Sequence, residues 1–286
     1  MAENPDPAVI RRRLRIELRQ LRTESGASQQ QVARALGWEP TKLAAIEYGI
    51  TGISTADLRS LLDAYHVEDL DRVRRLVGEA NDSRRLATAG YRSVPFSTIR
   101  FWNLRRAAAR VRQLEPLLIP GLLQTEEYAR EVVKAYASPA LSAADISERV
   151  IARIDQQSLL ERDDCPELHF LIDEAALRRL VGGPEVMRRQ LEALKEHVEH
   201  TGLTIQILSF GLGAHPGICG PFQILEYRDE DPVLYLDDAA GGKTTRDMET
   251  ETLQYLAVFW HLEEVATAPG DTSVILDRII AELPTS

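Results

Sequence analysis

The residue types best suited to chemistry gather in one glycine-rich stretch, Gly211-Leu212-Gly213-Ala214-His215-Pro216-Gly217-Ile218-Cys219-Gly220. His215 and Cys219 are a base and a nucleophile, and Glu174 or Asp237 has the chemistry to orient an imidazole. Catalysis requires such groups to lie within hydrogen-bond reach of one another. Nothing in their spacing brings them together, so no catalytic residue is assigned. The Gly-Leu-Gly start is followed by no helix signal, which leaves a phosphate-cradling reading unsupported, and Gly241-Gly242-Lys243 lacks the upstream glycine of a Walker loop. Two cysteines and six histidines are scattered without ligand spacing, so neither a metal nor a cofactor is expected. A long loop of this kind between strands reads instead as a mobile lip over a pocket or partner surface. Glu174, His215 and Cys219 are therefore the candidate effector or partner residues.

Charge supplies the second lead. The chain carries a net charge of −10, but residues 1–90 hold 14 Lys and Arg against 13 Asp and Glu, while residues 91–286 hold 20 against 31. Within residues 8–50, eight basic side chains face four acidic ones. A positive segment of that size suits phosphate contacts, and the acidic remainder would repel DNA.

The elements inside the basic segment can be read from their ends. Ser28 is a good N-cap and Gln31 completes a capping box. Val32, Ala33 and Leu36 share an apolar face, and Gly37 suits a left-handed position after the helix. Pro40 fits a first helical turn, where its missing N–H removes no bond. Leu43 and Ile46 follow three apart, and Gly49 can end this second helix. Two short helices around a tight turn are the layout of a helix–turn–helix, whose second helix enters a major groove. Leu14, Leu18 and Leu21 before it, and Leu58, Leu61, Leu62 and Tyr65 after Ser54, give flanking amphipathic helices.

Residues Ser28 to Gly49, with their flanking helices, resemble the Xre (lambda repressor and Cro) type of DNA-binding domain. Leu43-Ala44-Ala45-Ile46-Glu47-Tyr48-Gly49 matches the family pattern I-x-R-I-E-x-G at Ile46, Glu47 and Gly49, with Ala45 in place of the basic residue. The resemblance implies a phosphate contact at Gln29 and base-edge positions at Pro40, Thr41, Lys42 and Ala45. Lys42 has the donors to read guanine, whereas Pro40 and Ala45 offer only apolar contact.

The second half resembles a domain of unknown function that follows Xre-type helices in many actinobacterial regulators, some described as antitoxin-like. The likeness rests on Pro120-Gly121-Leu122-Leu123-Gln124-Thr125 with Tyr128-Ala129, on Asp173 to Arg179, on Val181-Gly182-Gly183-Pro184, and on Gly213 to Gly217 with Gly220-Pro221-Phe222. That family carries an acidic residue near Leu104, where this chain has Arg105 and Arg106. A pocket lined by that acid would differ here.

Helix signals over Ser142 to Leu160, after Pro184 and around Leu253, Leu256, Ala257 and Trp260 alternate with strand signals at Leu168 to Ile172 and Thr204 to Ile207. A hairpin joins Phe222 to Tyr227 with Val233 to Leu236. The expected fold is an α-helical helix–turn–helix domain over residues 8–80, a hinge over 81–95, and an α+β domain over 96–286 with a small, mostly antiparallel sheet. The aromatics Tyr91, Phe96, Phe101 and Trp102 read as a packing anchor between domains. No signal peptide is evident and no apolar run approaches the ~18 residues of a membrane span, which points to a cytoplasmic chain. The expected function is a transcriptional regulator on double-stranded DNA. It would act as a homodimer on half-sites ~34 Å apart and respond to a small-molecule effector or a small acidic protein. The competing expectation is an antitoxin-like module that sequesters another protein.

Overall fold

The computed structural model describes residues 7–47, 53–67, 69–84, 91–137, 141–198, 203–228, 230–237, 243–246 and 249–284. Contacts divide the chain into two units, Met1–Gly90 and Tyr91–Ser286.

Capping sets the boundaries of the first unit, which is made of α1 (Pro7–Glu24), α2 (Gln29–Ala35), α3 (Pro40–Glu47), α4 (Thr55–Ala64) and α5 (Leu70–Arg84). Ser28 Oγ accepts the Gln31 N–H at 3.2 Å, and Gln31 Oε1 accepts the Ser28 N–H at 2.8 Å. Gly37 leaves α2 with φ +63°, which lets its own N–H reach Arg34 O and the Trp38 N–H reach Ala33 O. This pair of bonds satisfies carbonyls that the helix itself leaves open. The same two-bond exit ends α4, but there the left-handed residue is His66, with φ 56°. Leu14, Leu18, Val32, Leu43, Ile46, Leu58, Leu61, Leu62 and Leu76 form the core of the unit.

A polar pair lies beside that core, its carboxylate buried. Glu47 is 1% exposed, and its carboxylate takes Arg22 in a two-pronged contact at 2.6 and 3.1 Å. Gln29 adds a hydrogen bond to Glu47 Oε2 at 2.7 Å, and Arg19 donates to the Glu47 carbonyl at 2.7 Å. One side chain at the end of α3 thus ties α1, α2 and α3 together. Helix α5 continues through Asn81 to Arg84, so the stretch expected as a hinge starts in helix; residues 85–90 lie outside the described residues.

The second unit contains α6 (Phe96–Arg106), β1 (Arg110–Glu115), α7 (Glu126–Ala135), α8 (Ala143–Asp155), β2 (Glu167–Asp173), α9 (Glu174–Arg178), α10 (Pro184–Val198), β3 (Leu203–Leu208), β4 (Phe222–Glu226), β5 (Val233–Asp237), β6 (Lys243–Arg246), α11 (Glu249–Val265) and α12 (Thr272–Glu282). It begins ahead of α6: Glu148 of α8 accepts the N–H groups of Arg92 and Ser93, and Arg149 donates to Ser93 O at 2.8 Å. Phe101 packs edge-on against Tyr235 with centroids 4.6 Å apart. This aromatic is therefore an internal part of the second unit.

The six strands form one sheet in the order β3-β2-β1-β4-β5-β6. β1, β2 and β3 run parallel, joined through helices, as parallel pairing demands. β4, β5 and β6 extend the sheet antiparallel from the other side of β1. The architecture is α+β with a mixed sheet. Thr267 and Thr272 cover the free edge of β3: Thr267 exchanges bonds with Ile207 N and O, and Thr272 Oγ1 donates to Ile205 O. Helix α11 lies over Leu114, Leu171, Phe222, Ile224 and Leu234. Its buried residues are Thr252, Leu256, Phe259 and Leu262, while Leu253 and Trp260 are about half exposed at 51% and 48%. The stripe expected from Leu253, Leu256, Ala257 and Trp260 is rotated from the true one: Leu253 and Trp260, seven residues apart, lie together on one side of the buried residues.

Strand β1 was not anticipated, since four of its six residues are polar. It is nevertheless the central strand. On the α11 side, Arg112 meets Glu226 at 2.6 Å and Arg110 meets Glu167 at 2.6 Å. His169 Nε2 contacts Gln206 Oε1 at 2.7 Å. Burial pushes the His169 imidazole below its ordinary pKa, against the upward pull of Gln206 and Glu263.

Two stability measurements test this account. Replacing Glu47 by Ala removes the carboxylate that Arg22 and Gln29 share and is expected to destabilise the first unit by about 3–5 kcal/mol, whereas a paired Arg22→Met, Glu47→Leu replacement costs far less. Equal losses in calorimetric unfolding of the single and double variants would contradict that. His66→Gly removes the strain of a left-handed non-glycine residue, so stability should rise by about 1 kcal/mol; an unchanged or lower melting temperature is the contrary result.

Candidate functional site

The helix–turn–helix positions its expected contact residues unequally. Thr41 is exposed on the first turn of α3. Lys42 is half-buried: its ammonium makes an ion pair with Asp57 of α4 at 2.7 Å and lies 4.0 Å from the centre of the Trp38 ring. Ala45 is partly exposed further along α3. Pro40 opens α3, as its fixed φ favours; its side chain lies outside the described residues. Gln29 opens α2 and has already given one N–H to Glu47. An amide nitrogen carries two donors, so a second remains for a phosphate.

In the second unit, the structure brings Glu174 and His215 to the same loop and does not join Cys219 to either by a hydrogen bond among the described residues. His215 Nε2 lies 3.2 Å from Asp173 Oδ2, with both side chains below a tenth exposed. The orienting carboxylate is thus Asp173 rather than Glu174 or Asp237. Asp173 Oδ1 also caps α9 through the Ala175 N–H at 2.8 Å. Glu174 Oε2 accepts the Phe210 N–H at 2.9 Å and its other oxygen takes Arg178 at 2.6 Å. Burial alone would raise the Glu174 pKa, but Phe210 and Arg178 outweigh it and hold the carboxyl below its ordinary value. Gly217 sits so close to His215 and Leu262 that an added Cβ would meet them at 3.0–3.1 Å. The loop expected as a mobile lip is therefore fastened at Phe210, His215 and Gly217, and Cys219 stands exposed at its far end.

The sheet face opposite α11 holds a larger feature that the sequence reading did not assign. A cleft of about 370 Å³ is lined by Phe101, Trp102 and Arg105 of α6, Gln113 and Glu115 of β1, and Gln223 of β4, with walls that include Ile119, Gln124, Val132, Tyr136, Arg149 and Arg153. Gln113 and Gln223 are register partners across β1 and β4. The Pro120 to Thr125 run builds one wall by folding into a short 3₁₀ turn, Gly121–Leu123. Gln124 Nε2 fastens the turn to Ile119 O at 2.8 Å, and Gln190, fully buried, grips Leu123 O and Thr125 N at 2.7 Å each. Arg105 is 5% exposed, and its signal was its position: the resemblance expects an acid nearby.

Two family models match the chain. One, described as Domain of unknown function (DUF5753), covers residues 99–278, and the other, described as Helix-turn-helix domain, covers residues 13–76. No curated protein and no solved structure matches it. No helix among the described residues is long and apolar enough to cross a membrane, and none of their His, Cys, Asp and Glu side chains cluster to hold a metal.

The fastening of the loop has a measurable consequence. His215→Ala should lower stability by about 1–3 kcal/mol, because a buried acceptor loses its partner, and should speed amide exchange across residues 210–220. Cys219→Ser should stay within about 0.5 kcal/mol of the parent. Unaltered exchange in the His215 variant would show that the Asp173 contact does not hold the loop.

Proposed function

Because the chain belongs to the family described as Domain of unknown function (DUF5753) and carries a helix-turn-helix domain, we propose that it is a sequence-specific, DNA-binding transcriptional regulator whose C-terminal unit binds an effector. The observation that carries this reading is the α2–turn–α3 arrangement, with exposed Thr41 and the Lys42 ammonium at the start of α3 and with basic charge concentrated around them. A helix N-terminus entering a major groove presents its first residues to base edges.

In this reading Thr41 and Lys42 touch bases, Gln29 touches phosphate, and Pro40 and Ala45 supply apolar contact. Lys42 must exchange Asp57 for a base edge, so its contribution is the difference between two pairings. A homodimer places two such helices on paired half-sites. The effector acts by favouring one state of the protein over another, which shifts operator affinity by its difference in affinity for the two. The role is regulatory and not enzymatic.

Selection of bound sequences from genomic DNA, followed by gel-shift titration at several salt concentrations, tests the proposal. Binding should weaken steeply with salt. Thr41→Ala and Lys42→Ala should each lose about 1–3 kcal/mol on the selected site, and Gln29→Ala should weaken all sequences evenly. Wild-type affinity in all three variants would remove these residues from the interface. Absence of DNA binding at any salt would leave a protein-interaction module.

A further inference from the structure

We infer that the cleft between α6 and the β1–β4 pair binds a small amphipathic organic acid, its carboxylate on Arg105 and its apolar body against Phe101, Trp102 and Val132. The inference rests on the reading of the C-terminal unit as the effector-binding half, and it names the chemistry of that effector.

The first argument is the state of Arg105. Among the described residues no side-chain hydrogen bond or ion pair reaches its guanidinium, and its Nε is buried without an acceptor. The nearest compensation is the Phe101 ring, 5.2 Å from Cζ. Burial, and then the like charge of Arg153, push its pKa down to about 9, so it remains cationic at neutral pH. A buried cation without an anion is strongly unfavourable. Strand β1 shows the ordinary solution on its other face, since Arg110 and Arg112 each meet a glutamate at 2.6 Å.

The second argument is convergence. Gln113 and Gln223 are 2% and 4% exposed, and each has an Oε1 without a partner. Gln113 has given its Nε2 to Glu115 at 2.7 Å, which fixes its oxygen as an acceptor in need of a donor. Three orphaned polar atoms from α6, β1 and β4 therefore line one cleft whose remaining walls combine apolar side chains with Glu115, Gln124, Arg149 and Arg153. An acid bearing a hydroxyl or N–H would satisfy the guanidinium and an amide oxygen together.

Charge and size narrow the class. Arg149 donates to Ser93 O at 2.8 Å and Arg153 to Gln124 Oε1 at 2.9 Å, so Arg105 is the cleft guanidinium with no such bond. A guanidinium with no such bond can take a carboxylate in a two-pronged contact. A volume of about 370 Å³ falls in the range of small-molecule sites.

The test is calorimetric titration and thermal unfolding of the full chain with salicylate, phenylacetate and octanoate, alongside the neutral salicylamide, phenylacetamide and octanamide and inorganic phosphate. At least one acid should bind saturably, and its amide about 10-fold or more weakly. Arg105→Met should abolish that difference while the ligand-free variant melts no lower than the parent. Gln113→Leu should weaken the hydroxylated acid more than phenylacetate. The inference is overturned if no acid binds, if acid and amide bind equally, if phosphate binds as well as the acids, or if ligand-free Arg105→Met is destabilised, which would make Arg105 structural. Operator binding is measured in parallel without acid. Intact operator binding with no acid binding removes only the cleft assignment, and acid binding without operator binding removes only the regulator.

Discussion

A strand cannot be central to a sheet and carry two arginines, a glutamine and a glutamate unless each polar group is given a destination. This constraint shapes the second unit. Strand β1 lies between β2 and β4, with all but its first residue buried. Its alternation sends Arg110 and Arg112 to one face and Gln113 and Glu115 to the other. On the first face the neighbouring elements supply carboxylates, from Glu167 of β2 and Glu226 of β4. On the second face a cleft opens, walled by α6 and by the turn that Gln124 and Gln190 hold in place. Helices α6, α7 and α8 and the Pro120 to Thr125 run border that opening.

The first unit resolves a comparable problem on a smaller scale. Glu47 is buried at the end of the helix that must be held at a defined angle to α2, and Arg22, Gln29 and Arg19 converge on it from two other helices. Apolar packing alone tolerates small rotations of one helix on another, whereas a two-pronged guanidinium contact has a narrow geometry. The ion pair therefore serves as an angular lock on the reading helix. Lys42 is similarly placed, against Asp57 and Trp38, before any DNA arrives.

Much of the first unit was legible because its signals are local. Ser28, Gln31, Gly37 and Pro40 mark helix ends through short-range bonds, and the leucine spacing of α1 and α4 marks their buried faces. Strands β2, β3, β4 and β5 were likewise readable from apolar runs. Strand β1 was not, because its polar residues are answered by partners up to 114 positions away, as in Arg112 with Glu226. The same distance hid the site: Arg105, Gln113 and Gln223 converge only through sheet register. His215 drew attention in the sequence, yet its partner Asp173 follows from the topology, which sets the end of β2 beside that loop.

The threonines over β3 have a bearing on assembly. Every open sheet has two rims whose unsatisfied amides and carbonyls invite another strand. Thr267 and Thr272 occupy one rim with hydroxyl and backbone bonds of their own. Lateral growth of this sheet at the β3 rim, whether by a second copy or by a foreign peptide, would have to displace the bonds already made to Ile205 and Ile207.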